Sequence, residues 1–275
     1  MAQTCYRHPN RETAVSCSSC GRPICPDCMT PTPVGMRCPE CARQRTKVVR
    51  NPHGTASGVA AYPVTAALIA INAVVYLIEV ATGGGGLFSE ASGNFVFHTI
   101  LYGPFVAEGE WYRLVTAGFL HANIIHIGFN MLLLYFLGRL LEPALGSVRF
   151  TFLYFASLLA GSFGALLLDP NSASLGASGA IFGLAGATFV IARGRGLDEL
   201  AGQIGFLILI NLVYSFAVPD ISVGAHLGGL VAGVIGGLAV VAGERGMLGP
   251  NHRIAELTAM VVIGVVAVFA AVAVA

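Results

Sequence analysis

Seven apolar stretches dominate this chain, at 63–81, 119–141, 150–168, 178–192, 204–218, 225–242 and 257–275, and very little charge interrupts them. A helix of about 20 apolar residues is long enough to cross the roughly 30 Å hydrocarbon layer of a bilayer. The fourth and fifth stretches are short for that task. Charged residues make up only 11% of the chain, where soluble domains carry about 25%, so there is too little polar surface to cover a water-soluble body of this length. The expected class is an all-α polytopic membrane protein, with Glu79 near the end of the first span, where the interface can hydrate it. The first residues lack the apolar core of a signal peptide, so the first stretch, from Pro63, is expected to act as an uncleaved anchor.

The polar residues are concentrated ahead of these stretches. All seven cysteines and eight of the 15 Lys and Arg residues precede position 51. The cysteines form pairs at a fixed step: Cys17 with Cys20, Cys25 with Cys28, and Cys38 with Cys41, while Cys5 pairs with His8 at the same spacing. Each pair puts two ligands on one face of a metal, and two pairs close a tetrahedral site. Eight ligands suffice for two structural zinc ions with no position left open for catalysis. A disulfide cluster is the competing reading, but it needs an oxidising compartment and normally an even cysteine count. About 40 residues build only a small core, so metal would supply most of the folding energy. The order of the pairs resembles B-box-type zinc fingers over residues 5–41. That resemblance implies cross-bracing, with Cys5, His8, Cys25 and Cys28 on one ion and Cys17, Cys20, Cys38 and Cys41 on the other; spacing alone leaves sequential pairing open. The expected organisation is a zinc-binding domain at 1–42, a basic then Gly/Ala/Pro-containing linker at 43–62, and the membrane domain beyond.

Orientation follows from the Lys/Arg bias, since short cytoplasmic connections carry the positive charge. With the head in the cytoplasm, the connections after spans two, four and six also face inward, and they hold Arg139, Arg149, Arg193, Arg195, Arg245 and Arg253. Only Arg113 then faces outward, so 14 of the 15 basic residues lie inside. The reverse orientation would place 14 outside. The chain is thus expected to be a multi-pass protein of the cell membrane with a cytoplasmic N-terminus and an extracytoplasmic C-terminus. This keeps the cysteines in a reducing compartment. A formal net charge of +1 gives no case for nucleic acid. Residues 82–118 form a long outward loop, in which Trp111 and Arg113 read as an interfacial aromatic and a snorkelling anchor.

Polar groups inside the spans are few and not scattered. His121, His126 and Asn130 fall in the outer half of span two, Ser178 opens span four, and His226 opens span six. All three spans run from outside to inside, so these residues share one depth just below the outer face. Residues 178–192 cover about 22 Å as a helix against a layer of about 30 Å, which sets Ser178 several ångströms deep, with the Gly-containing stretch before it as irregular backbone lining a cavity. His126 and Asn130, four apart, share a helix face. Small residues recur on span four (Gly179, Gly183, Gly186, Ala187) and span six (Gly229, Ala232, Gly233, Gly236, Gly237). Such spacing lets helix backbones approach closely, as a Ser–His contact between helices requires. Ionisable groups at membrane depth are functional candidates, although a lone membrane Ser usually bonds its own i−4 carbonyl and a lone His often serves as interhelical glue.

Trp111-Tyr112-Arg113, the His121, His126 and Asn130 set, Gly176-Ala177-Ser178-Gly179-Ala180-Ile181-Phe182-Gly183, and Ala225-His226-Leu227-Gly228-Gly229 with Gly233 together resemble the rhomboid family of intramembrane serine proteases, over residues 63–242. The resemblance implies a bundle of six core helices, with the stretch at 243–275 adding a loop and one extra C-terminal helix. It implies Ser178 as nucleophile and His226 as its general base, without an acidic third member. His126, Asn130 and the Ser178 backbone N–H would form the oxyanion hole. His121 would stand behind the site or handle water, Phe182 would pack beside the His226 ring, and Gly176 and Gly229 would support the loop and the helix contact. The implied reaction is hydrolysis of a peptide bond near the outer end of a transmembrane substrate helix. Small or helix-weakening residues at the cut are the implied preference. A catalytically silent relative that binds membrane clients would usually lack the Ser or the His, and a small-solute transporter would predict internal repeats and broken mid-membrane helices. The zinc head could dock a cytoplasmic partner or only order the N-terminus.

Overall fold

A computed structural model of the chain describes residues 3–32, 35–43, 61–83, 86–218 and 221–275. Most of the expected linker, at 44–60, and Asp220 in the loop before span six lie outside the described residues. The chain divides into two compact units, Met1–Thr55 and Ala56–Ala275.

The first unit is two small hairpins and a helical turn. Strand β1 (Gln3–Cys5) pairs antiparallel with β2 (His8–Thr13), and β3 (Thr30–Thr32) with β4 (Gly35–Arg37). A 3-10 turn at Pro26–Cys28 and helix α1 (Pro39–Arg43) complete it. Its interior is Ile24 and six of the cysteines, with Tyr6 and Met29 packed against them. That core is far too small to hold a fold by burial alone.

The second unit is helical. The long helices are α2 (Pro63–Thr82), then α6 (Ile124–Leu145), α7 (Ser147–Leu168), α8 (Ser178–Gly194), α9 (Asp198–Ala217), α10 (Val223–Glu244) and α11 (His252–Val274). Six of them are long and apolar enough to cross a membrane, and α8 is a shorter apolar helix. Between α2 and α6 lie three short helices, α3 (Asn94–Thr99), α4 (Gly103–Ala107) and α5 (Arg113–Thr116), and a 3-10 turn at Ala117–Phe119.

Helix α10 lies against α7 on one side and α8 on the other, and both contacts are backbone to backbone. A Cβ added at Gly229 or Gly233 would fall on the carbonyl oxygen of Gly179 or Gly183 in α8. One added at Gly224 or Gly228 would fall on the carbonyl of Gly164 or Ala160 in α7. In lipid there is no hydrophobic force between helices, so close van der Waals packing of this kind holds them. Helix α8 is the centre of the bundle, with 12 of its 17 residues buried. Helix α11 packs on α7 and α10 and is pinned by Arg149, whose guanidinium lies 2.7 Å from the fully buried Glu256 carboxylate.

The buried acids Glu142 and Glu79 are also paired. The Glu142 carboxylate on α6 accepts the backbone N–H groups of Val64 and Thr65 at 2.9 and 2.8 Å, together with the Thr65 and Ser147 hydroxyls. It thereby caps the first turn of α2, whose N–H groups have no partner within the helix. Glu79 is not hydrated at an interface as its position suggested. It is 3% exposed, and its carboxylate takes the backbone N–H of His121 at 3.2 Å. Nor does Arg113 snorkel: it is 1% exposed and ties the loop together by donating to Glu110 and to the carbonyls of Phe97 and Ile100, beneath the ring of Phe105. Trp111 beside it is about half exposed. Arg113 and Tyr112 in turn hold the Glu110 carboxyl below its usual range.

Three helix starts differ from expectation by five or more residues: those of α6, α9 and α11, the last beginning at His252. Helix α6 begins at Ile124, because Asn123 is extended (φ −161°) and its side chain accepts the His126 N–H, an N-cap. His121 therefore precedes the helix instead of lying on it. Helix α9 begins at Asp198, well before the apolar stretch, because Asp198 and Glu199 suit the positive end of a helix.

The backbone contact makes a direct prediction. Gly233→Ala should destabilise the protein by about 1–3 kcal/mol, as overpacking does, whereas Gly128→Ala, on an open face of α6 with nothing within 4 Å, should not destabilise it; thermal unfolding in one detergent compares the two.

Candidate active site

The N-terminal ends of α6, α8 and α10 meet at one end of the bundle, and each delivers a polar side chain there. Ser178 is the first residue of α8. The segment before it is held in an irregular path by Leu101 bonding Ser174 and by the Gly176 N–H donating to the Ala117 carbonyl at 2.9 Å. Gly176 has φ +123°, a conformation that favours glycine, and a Cβ there would press on the His126 ring. That missing Cβ marks a point 3.0 Å from His126 Nε2 and 3.8 Å from Ser178 Oγ. The glycine thus lets the backbone pass close to both side chains.

His226 lies in the first turn of α10, which Ser222 caps by accepting the Ala225 N–H at 3.2 Å. Its Nε2 is 2.8 Å from Ser178 Oγ. The ring stacks on Phe182, one turn beyond Ser178, with centroids 4.1 Å apart and planes inclined by 17°. Gly229, on the next turn of α10, lies on the Gly179 carbonyl and sets the helix separation that makes this contact possible. The second ring nitrogen of His226, Nδ1, is 2.7 Å from the hydroxyl of Ser215, a buried residue near the end of α9. Sequence reasoning missed Ser215 because it sought polar groups only at the starts of spans two, four and six. The same criterion of polarity at membrane depth, applied to the outer end of span five, points to it.

His126 Nδ1 accepts the Ala122 backbone N–H at 3.3 Å. A neutral imidazole with one nitrogen accepting carries its proton on the other, so Nε2, on the Gly176 side of the ring, is a donor. Asn130, 5% exposed, lies one turn deeper on the same face of α6. His121 is fully buried and packs edge-on against the His126 ring, with centroids 5.1 Å apart. Ser178, His226, Phe182, Gly176 and His126 are therefore brought together, with His121 behind His126. A hydroxyl within hydrogen-bond distance of an imidazole nitrogen, beside an N–H donor, has the makings of an activated nucleophile and an anion-stabilising site.

The first unit holds a second constellation. Cys5, His8, Cys25 and Cys28 form one cluster and Cys17, Cys20, Cys38 and Cys41 another, with ligand atoms in each within 4.8 Å of one another. His8 Nδ1 is 3.3 Å from Cys25 Sγ and 3.4 Å from Cys28 Sγ. On a tetrahedral zinc with Zn–N of about 2.0 Å and Zn–S of about 2.3 Å, a ring nitrogen and a thiolate stand about 3.5 Å apart, so the donor set and its spacing fit such an ion. The Cys38 N–H, donating to Cys17 Sγ, brings that thiol down to about 6 against the effect of burial. Burial pushes Cys28 up to about 11, and the bond to Cys38 pushes Cys41 up to about 12. All seven cysteines are free of disulfides.

Comparison with known proteins places this arrangement in context. The Rhomboid domain family matches residues 108–243, which contain every residue of the site in α6, α8, α9 and α10 but not the cysteine clusters. The chain is 37% identical over 162 residues to Rhomboid protease GluP of Bacillus subtilis (strain 168), covering 58% of this chain and 32% of that protein. It is 34% identical over 183 residues to Putative rhomboid protease YdcA of the same organism, covering 63% of this chain and 86% of the relative. It is 31% identical over 178 residues to Rhomboid-like protease 1 of Toxoplasma gondii, covering 62% of this chain and 61% of that protein. The chain thus spans about a third of the first of these relatives and most of the second.

The stacked ring gives the site's own prediction. Phe182→Ala, which frees the His226 ring from its stacked position, should slow any labelling of Ser178 by a fluorophosphonate probe roughly tenfold, about the worth of one ordinary hydrogen bond, while Phe182→Tyr, which keeps the ring face, should label at close to the wild-type rate.

Proposed function

Because the chain belongs to the rhomboid family, we propose that it is a serine-type intramembrane endopeptidase acting on transmembrane protein substrates through Ser178 and His226. The observation that carries this reading is the 2.8 Å contact between Ser178 Oγ and His226 Nε2. As Oγ bonds to the scissile carbonyl carbon, its proton passes to Nε2. The imidazolium then returns that proton to the leaving amine as the C–N bond breaks, giving an ester on Ser178. Water, deprotonated by the same nitrogen, cleaves the ester and frees Oγ. The carbonyl oxygen becomes an oxyanion twice in this sequence. His126 Nε2–H, the Asn130 amide and the Ser178 backbone N–H are the donors available to it. The positive end of α8 faces the same position and favours the same charge.

Such chemistry suits a substrate whose helix is partly unwound near its end, because a peptide carbonyl in a regular helix is already engaged by its i+4 N–H. Both members of the dyad are present and bonded, which favours an active enzyme over a silent client-binding relative. The Lys/Arg bias supports a cytoplasmic N-terminus, with the site opening to the opposite side and the C-terminus emerging there. The two Cys/His clusters would hold one zinc ion each. Every coordination position is supplied by protein, so the ions would order the head and take no part in the cleavage. The head's surface is then available to a cytoplasmic partner.

Purified protein incubated with a tagged single-span substrate in liposomes tests the reading. Ser178→Ala and His226→Ala should each reduce product to background, and His126→Ala or Asn130→Ala should lower kcat about 100-fold or more, the effect of losing one oxyanion donor. Cleavage by Ser178→Ala would reject the assignment. Metal analysis of the same preparation should find two zinc ions per chain, and Cys17→Ser should lose metal without affecting fluorophosphonate labelling of Ser178.

A further inference from the structure

We propose that Ser215 is a positioning residue for His226, accepting the Nδ1 proton and so fixing the tautomer in which Nε2 is the base. This inference rests on the dyad reading and extends it to a third residue on a third helix. The Ser215 hydroxyl stands 2.7 Å from His226 Nδ1 and also 2.7 Å from the Asn211 carbonyl oxygen. A hydroxyl has one proton and a carbonyl oxygen can only accept. If the proton pointed to Nδ1, two lone-pair-bearing oxygens would face each other at 2.7 Å. The proton therefore goes to Asn211, and the ring must donate through Nδ1–H. A neutral imidazole has a single N–H, so Nε2 is left bare toward Ser178. The four groups then form one directed chain: Ser178 Oγ–H to Nε2, and Nδ1–H to Ser215 Oγ–H to the Asn211 carbonyl.

The setting of Ser215 supports a specific role. A serine in a membrane helix usually bonds its own i−4 carbonyl, which accounts for the Asn211 contact and not for the one to His226. Helix α9 buries only Ala201, Ile204 and Ser215. The first two belong to the opposite end of the helix, so at the end nearest the site Ser215 is the single buried residue. Its flanking residues Tyr214 and Phe216 are exposed at 58% and 69%. Packing alone gives no reason for a hydroxyl at the one buried position there. When Nε2 takes up the Ser178 proton, the ring becomes a cation, and a neutral oxygen accepting from Nδ1 stabilises it without adding a fixed negative charge. The effect should be correspondingly smaller than that of a buried carboxylate in the same place.

Three variants separate this role from simple packing. Ser215→Ala removes the acceptor, Ser215→Cys keeps nearly the same volume with a poor acceptor, and Ser215→Thr keeps the hydroxyl and adds a methyl group. Cleavage of the single-span substrate is measured in liposomes for each, with fluorophosphonate labelling of Ser178 normalised to folded protein. The Ala and Cys variants should lose roughly tenfold in kcat, the effect of one hydrogen bond of ordinary strength, with KM unchanged, and the Thr variant should retain most of the wild-type rate. A Cys variant as fast as wild type, or a Thr variant as slow as Ala, would overturn the proposal in favour of packing. Ser178→Ala in the same assay distinguishes the two levels: cleavage by it would remove the dyad itself, whereas its inactivity beside a fully active Ser215→Ala would remove only the role of Ser215.

Discussion

A hydroxyl on one membrane helix can reach an imidazole on another only if the two backbones nearly touch. Helices α8 and α10 meet this condition by omitting side chains along their shared face, where Gly229 and Gly233 lie on the carbonyls of Gly179 and Gly183. The 2.8 Å contact between Ser178 and His226 follows from that separation. So does the stacking of His226 on Phe182, since the ring must enter a gap of one aromatic thickness. The same device on the other face of α10 brings in α7. The slab formed by α7, α10 and α8 is rigid because backbone meets backbone, and the site is built at its end.

Around this slab, hydrocarbon imposes a second condition: no polar group can be left without a partner at low cost. The acids Glu79, Glu142 and Glu256 each solve a local problem created elsewhere in the chain. Glu142 satisfies the bare first turn of α2, Glu79 the N–H of His121, and Glu256 the guanidinium of Arg149. These pairings connect α2 and α11 to the slab by means other than apolar contact. They also explain how a bundle with broad lipid-facing surfaces, as on α9, keeps a defined arrangement.

The spans and the site's main residues were legible because each leaves a regular mark. Apolar runs mark the helices, small residues every three or four positions mark the close contact, and polar residues at the starts of alternate spans reveal a common depth. The pairings at long sequence distance leave no such mark. Nothing near Glu142 shows that it caps a helix 77 residues earlier. Arg113 reads as an interfacial anchor because its buried acceptors are backbone carbonyls, which every residue possesses. Ser215 resembles any back-bonding serine, and only the packing of α9 beside α10 brings His226 to it. The position of His121 ahead of α6 depends on Asn123, a cap hidden inside a run of motif residues.

The two cysteine clusters of the N-terminal unit interleave along the chain: Cys17 and Cys20 lie between the two halves of the first cluster, and Cys25 and Cys28 between the halves of the second. Each loop that closes one cluster therefore contains ligands of the other, and opening either releases a segment that the other needs. With so small an apolar core beneath them, the clusters cannot come apart one after the other as independent modules would. A unit interlocked in this way is whole or unfolded, and with an ion in each cluster its response to a falling supply of metal would be a threshold and not a graded loss.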